Sequence, residues 1–220
     1  MLNPVHIINN TDSASIRIGL KLLPAQHKYA MLTDKEKLLL LTLAKTIPNK
    51  SAIVEIGTYL GGSASILAHA NPNNKIFCFD TFDKQLENRI LDPVWISETI
   101  GLGSIRTLDS VQEILKEFKN IRLTKVPTKH TVMVNWRAPI DLYFEDGNHT
   151  DPVLTKNIIH WSSNLKIGGF MVLHDFRPYL EVGFGKHPDV DRAVNTLIRN
   201  DKWKFCGVVD STAVFQKLEI

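Results

Sequence analysis

The 220 residues carry 26 Lys and Arg against 23 Asp and Glu, a formal charge of +3, with 44% hydrophobic residues. So small an excess of positive charge argues against nucleic acid without a focused basic patch, and no apolar run nears the length of a membrane span. The two cysteines, Cys78 and Cys206, form no disulfide framework or metal spacing; each lies in an apolar, strand-like run and reads as a buried thiol.

Residues 1–30 are mixed, with Pro4 and Pro24 as breakers. They have no cationic start followed by an apolar stretch, so a cytoplasmic protein is expected. They read as an arm, a lid over a site or an oligomer contact, and such an arm favours a homodimer or larger homo-oligomer. Thr33-Asp-Lys-Glu36 has the form of a capping box, and the leucine-rich helix behind it, stopped by Pro48, reads as structural.

The next stretch organises the rest. Residues 52–56 read as a buried parallel strand and 63–70 as a helix. Between them runs Val54-Glu-Ile-Gly-Thr-Tyr-Leu-Gly-Gly-Ser63. Gly57 lets the chain leave the strand sharply, and Gly61 and Gly62 are expected to let backbone approach a ligand. The helix start, from Ser63, offers unpaired N–H groups. The spacing Glu-x-Gly-x-x-x-Gly departs from the dinucleotide fingerprint. Glu55, ahead of the first glycine, suits a cationic or hydrogen-bond-donating ligand better than a pyrophosphate, which points to S-adenosylmethionine (SAM) rather than NAD. The competing reading is a plain strand-to-helix turn.

Lys75-Ile-Phe-Cys-Phe-Asp80 gives a second strand, and Asp80 falls where a ribose-binding carboxylate belongs. The alternative is a cap on the next segment, a role Thr81 and Asp83 could share. Residues 84–111, with Trp95 and Gly101-Leu-Gly-Ser104, read as a substrate lid or a helical insertion. A helix is expected over 111–119 and a third strand over 121–126. Lys116, Lys119, Arg122, Lys125 and Lys129 there read as a solvated face. Thr128 ends the strand on the ligand edge and is expected to border the adenine.

Ile140-Asp-Leu-Tyr-Phe-Glu-Asp-Gly-Asn-His149 marks a fourth strand. Asp151-Pro152 then opens a helix whose buried stripe is Leu154, Ile158, Trp161 and Leu165. Gly168-Gly169 reads as its stop, ahead of a fifth strand, Phe170-Met-Val-Leu-His-Asp175. Two successive parallel strands thus end in Asp146 and Asp175. Such carboxylates converge beyond the carboxyl ends of the sheet and suit a hard divalent cation, magnesium, that would activate a substrate hydroxyl. Turn formation or helix capping is the plainer role for both. His149 stands three residues past Asp146 and could accept a hydroxyl proton, with His174 the competing base or third ligand. A helix from Asp189 and two strands over 203–209 and 212–217, necessarily antiparallel, complete the pattern. The fold expected is α/β: a Rossmann-like, seven-stranded, mostly parallel sheet with a C-terminal antiparallel hairpin and helices on both faces.

The motifs Val54 to Ser63, Phe79-Asp-Thr-Phe82, Asp141 to His149 and Ile167 to Asp175 stand in the order found in class I SAM-dependent methyltransferases, which the chain resembles over residues 33–217. It looks most like the macrocin O-methyltransferase and cephalosporin-hydroxylase-like branch, with its Asp-Gly-Asp-His after the fourth strand and His-Asp after the fifth. The resemblance implies an arm or lid over 1–32 and a methyltransferase domain over 33–220. It implies SAM bound by Glu55, Gly57, Thr58, Gly61, Gly62, Ser63, Asp80, Thr81 and Thr128, magnesium on Asp146 and Asp175, and catalysis by His149 with Asp146. The expected partner is a small hydroxylated acceptor, a sugar or natural-product intermediate, with no nucleic acid and no membrane. Two positions depart from the pattern. His149 stands where the catechol-type relatives have lysine, and neutral Asn148 where many members of the branch have an aspartate that would strengthen the metal site. The competing readings are an NAD(P)-dependent oxidoreductase and a non-catalytic SAM-binding subunit.

Overall fold

The computed structural model describes residues 3–83, 107–176 and 187–218. The expected lid over 84–111 and the loop after Asp175 lie largely outside these residues, Trp95 and Gly101 to Ser104 included. Seven strands form one sheet: β1 (Ala52–Ile56), β2 (Lys75–Asp80), β3 (Ile121–Lys125), β4 (Ile140–Glu145), β5 (Leu165–Leu173), β6 (Trp203–Val209) and β7 (Thr212–Lys217). Their order is β3-β2-β1-β4-β5-β7-β6. The first five are parallel, and β7 runs antiparallel to both β5 and β6. The fold expected from the sequence is therefore the fold observed.

Alternation along the central strands divides the core into two layers. Ile53, Leu142, Phe144 and Val172 face one side, where α3 (Asp34–Thr46) and α4 (Gly62–Ala70) supply Leu39, Leu43, Ile66 and Leu67. Val54, Ile56, Tyr143 and Met171 face the other, against α6 (Val153–Ser163) and α7 (Pro188–Ile198), which contribute Ile158, Trp161 and Val194. Each of these buried aliphatic side chains stabilises the fold by about 1.5–3 kcal/mol relative to exposure.

The amino-terminal segment forms α1 (Pro4–Asn9), α2 (Ser13–Leu20) and a 3₁₀ turn, Ala25–Tyr29. Val5 and Ile8 are buried in the first layer. The side chains of Asn3 and Asn9 donate to the carbonyls of Cys206 and Val208 on β6, each at 2.8 Å. These residues therefore pack on the body of the domain along the β6 edge.

Four local expectations are corrected. The helix before β3 is α5, Leu108–Ile114, because the Thr107 hydroxyl caps it from Ser110 N–H and starts it earlier than residue 111. α6 begins at Val153, with Pro152 just outside it as the cap. Gly168-Gly169 is not a helix stop. The helix ends at Ser163, and Leu165 already pairs with Ile140 on β5. Phe170 next pairs with Leu142, so β5 bulges between them, and Gly168 takes the left-handed backbone (φ 79°) that the bulge requires. Cys206 is only half-buried, since β6 ends the sheet, whereas Cys78 is fully enclosed on β2.

Candidate active site

The chain leaves β1 for β2 and β3 on one side and resumes at β4 on the other, so the strand order reverses between β1 and β4. Open α/β sheets form their ligand crevice at that point, beyond the carboxyl ends of the strands. Gly57 N–H donates to Phe79 O at 2.9 Å, and Asp146 N–H to Ile56 O at 2.8 Å. These bonds fix the first residues past β1 and β4. Glu55, Gly57, Asp80, Asp146 and Asp175 thereby come to one edge, as expected.

On the β1–β2 side, Glu55 is fully buried with no hydrogen-bond partner for either carboxylate oxygen among the described residues, and the Thr58 hydroxyl is likewise unpartnered. Burial pushes the Glu55 carboxyl up to about 7, against weak lowering by the nearby Ser63, Cys78 and Thr58. α4 begins at Gly62, with Gly61 in the left-handed region (φ 83°) as its cap, and among the described residues no side chain caps its first N–H groups. An orphaned carboxylate below and unpaired N–H groups above suit a ligand bearing both a cation and an anion.

The glycines serve packing more than ligand clearance. A Cβ on Gly61 would lie 2.6 Å from Leu115 Cδ1, and one on Gly62 would lie 2.0 Å from Ala30 N. On the side each Cβ would take, the protein's own chain already lies close. Gly57 (φ 87°) is required twice over, because its Cβ would also fall 2.0 Å from Asp146 O. Asp80 stands at the expected place, but its carboxylate holds the loop. It accepts from Tyr59 N–H at 2.7 Å, from the Thr81 hydroxyl at 3.1 Å and from Phe82 N–H at 3.3 Å. Asp80 thus makes the capping bonds of the alternative reading, with Thr81 as one of its donors. Thr128 begins a 3₁₀ turn after β3, Thr128–Met133.

On the β4–β5 side the charges are matched. His174 Nδ1 lies 2.9 Å from Asp146 Oδ1, and its Nε2 lies 3.5 Å from Glu36 Oε2 and 3.3 Å from the Ser211 hydroxyl. Burial opposes a charge on this ring, yet Asp146, then Asp175 and Glu36, raise it well above 6.5. The carboxylates on either side of His174 thus favour the charged form of its ring. Glu36, buried in the first turn of α3, accepts from Thr33 N–H, Ser211 N–H and the hydroxyls of Ser211 and Thr212. Burial would raise its carboxyl, but His174 and Ser211 hold it down at about 2. Glu145, at the end of β4, accepts from the Tyr143 hydroxyl, and its burial raises it to about 7.

His149 Nε2 lies 3.1 Å from Asp175 Oδ2 and 3.8 Å from Asp146 Oδ1. Burial disfavours its charge, but Asp146 and then Asp175 outweigh it and raise the ring above 6.5. Asp175 itself turns the chain out of β5 in the left-handed region (φ 61°), which aspartate tolerates better than most residues. His187, just ahead of α7, stacks its ring 4.4 Å from that of His149.

Magnesium on Asp146 and Asp175 fits this donor set poorly. Magnesium demands an oxygen octahedron, whereas the two carboxylates are interleaved with three imidazoles, and Asp146 Oδ1 is committed to His174. Glu36, Ser211 and His187 have site roles the sequence did not disclose. A capping glutamate and a turn serine carry no local signal of a partner 175 residues away, and His187 followed by Pro188 reads only as a helix start.

A family model described as "Methyltransferase domain" matches residues 54–176, more than half of the chain. Several solved structures share the fold at low identity. A Podospora anserina methyltransferase, PaMTH1, bound to SAH, is 15% identical, with a TM-score of 0.59 over 100% of this chain and 89% of that one. The O-methyltransferase TomG of Streptomyces achromogenes, involved in tomaymycin synthesis and in complex with SAM, is 15% identical, with a TM-score of 0.58 over 98% and 96%. An rRNA methylase from Streptococcus thermophilus is 14% identical, with a TM-score of 0.54 over 86% and 100%.

Proposed function

The chain belongs to the methyltransferase-domain family, and from that premise we propose that it is a SAM-dependent O-methyltransferase acting on a small hydroxylated acceptor. The observation that carries the reading is Glu55, a fully buried carboxylate whose two oxygens find no hydrogen-bond partner among the described residues, beside the start of α4, which no described side chain caps. The amino and carboxylate groups of a methionine moiety are complementary to this pair. Glu55 would hold the cationic end, the N–H groups of Gly62 and Ser63 the anionic end, and Asp80 would fix the loop between them. When bound, SAM supplies a methyl group on a positively charged sulfur, open to attack by an oxygen nucleophile.

The chain's own residues prepare that nucleophile. His149 Nε2 takes the acceptor's hydroxyl proton, and the imidazolium so formed is stabilised by Asp175 and Asp146. His174 Nδ1, 2.9 Å from Asp146 Oδ1, holds that carboxylate oriented towards this point. Catalysis then rests on orientation and on charge placed beforehand. The histidine-rich motif Asp146-Gly-Asn-His149 and the pair His174-Asp175 favour the macrocin O-methyltransferase and cephalosporin-hydroxylase-like branch, hence a sugar or natural-product hydroxyl.

The test is calorimetric titration of the full chain with SAM and with NADH, followed by an assay of SAH release over a panel of hydroxylated acceptors. Micromolar SAM binding, no NADH binding and acceptor-dependent SAH release are expected. NADH binding without SAM binding would sink the reading. SAM binding with no release across the panel would leave a non-catalytic SAM-binding protein in its place.

A further inference from the structure

We propose that His149, Asp175 and His187 form a binding site for a late first-row divalent cation of the zinc type, which shares Asp175 with the magnesium pair expected at Asp146 and Asp175 but takes two imidazoles in place of Asp146 and so differs in metal class. The ligand atoms of the three residues lie within 4.8 Å of one another. His149 Nε2 and His187 Nε2 approach the same oxygen, Asp175 Oδ2, at 3.1 and 4.0 Å. A tetrahedral ion with bonds near 2.0–2.1 Å holds its ligand atoms about 3.3 Å apart, so only small movements are needed to close on one. His149 Nε2 is buried and, among the described residues, makes no hydrogen bond of acceptable geometry even to the nearby Asp175. Two imidazoles and one carboxylate suit zinc, iron or cobalt and do not suit magnesium.

The surroundings hold the three residues in place. Asp151 N–H donates to Asp189 Oδ2 at 2.9 Å, and Arg192 bridges Asp189 and Asp151 at 2.7 and 3.4 Å. This network ties the start of α7 to the loop after β4 and so brings His187 against His149. Asp146 is withheld from the cation by its bond to His174, which leaves the fourth position to water or an acceptor oxygen. A cation on His149 Nε2 excludes a proton there. Under the proposed function, on which this one consequence rests, the metal is a brake on the reaction.

Calorimetry of the full chain with zinc chloride and with magnesium chloride, and absorption spectra with cobalt(II), test the site directly. Zinc is expected to bind one per chain, unaffected by a large excess of magnesium, and cobalt(II) to give the intense visible bands of a low-coordinate nitrogen and oxygen site. His187→Ala and His149→Ala should each weaken zinc by at least about tenfold, the least expected for loss of a ligand. His187→Ala should leave metal-free SAM affinity unchanged. Equal zinc affinity in the wild type and both variants, or displacement of zinc by equimolar magnesium, would overturn the site. In the SAH-release assay, zinc should suppress turnover and EDTA restore it. Zinc-stimulated turnover would remove His149 as the base while leaving the metal site standing, and SAM titration of the same samples reads the cofactor assignment separately.

Discussion

Glu36 and Glu55 are both buried glutamates on the same layer of the sheet, yet the fold treats them in opposite ways. Glu36 accepts from four protein donors and faces an imidazolium, and its carboxyl is held down at about 2. Glu55 has no partner that meets it squarely and is pushed up to about 7. Burial is common to both, so the supply of donors decides the sign. One half of the crevice, built from α3, β4 and β5, is electrostatically complete. The other, built from β1, α4 and β2, has a carboxylate that a cationic ligand would complete.

Breaking the complete half should have the largest effect. Glu36→Gln leaves His174 charged and deprived of a buried partner, which is expected to lower unfolding free energy by about 3–5 kcal/mol, read by urea denaturation at pH 7. Its own titration works in the same sense. A carboxyl lowered from 4.5 to about 2 contributes stability above pH 4.5 that is lost as pH falls through 2. The wild type should therefore lose stability on acidification more steeply than the Gln variant.

The incomplete half should respond in the opposite direction. Glu55 is raised from 4.5 to about 7, so its contribution is full below pH 4.5 and is lost as pH rises through 7. Glu55→Gln should flatten that decline in the ligand-free protein, and saturating SAM should flatten it in the wild type. The same substitution is expected to weaken SAM by roughly tenfold to a hundredfold, the range for losing a hydrogen bond to a charged group, measured by calorimetry. An unchanged affinity would break the contrast between the two acids.

Gly62→Ala tests whether the glycine loop is held by packing. Its Cβ would meet Ala30 N at 2.0 Å, a backbone atom that cannot swing aside, and overpacking of this kind costs about 1–3 kcal/mol. Thermal melting reads it, and a neutral result would mean that residues 29–30 yield. Smallest of all, Arg192→Ala removes an exposed bridge to Asp151 and Asp189 and should change stability by under about 1 kcal/mol.

The strands, their order of use and the converging acids were legible because each rests on local signals: apolar runs, glycine spacing and an acid at a strand end. The bulge in β5 was not, since Gly168-Gly169 is as good a helix stop as a bulge until Ile140 and Leu142 are seen pairing across it. Nor was the state of His174, which depends on Glu36, brought beside it only by the packing of α3. At Gly61 and Gly62 the sequence shows the missing side chain but not the protein neighbours that also need it missing. The absence of a side chain was plain, but what comes close is Leu115 and the Tyr29–Ala30 backbone. Composition favoured no nucleic-acid partner and no membrane span, and among the described residues no helix is long and apolar enough to cross a bilayer.

That backbone-on-backbone contact reaches further than the loop. Residues 3–30 are fastened at one end to the outermost strand, through Asn3 and Asn9. At the other end they rest on the first residue of α4, where the methionine moiety is proposed to dock. The segment thus lies as a strap across one layer, from the outermost strand to the edge of the crevice. Protease cuts in the stretch between α2 and α3 should slow when SAM binds, so the protein carries a reporter of its own occupancy at a distance from its chemistry.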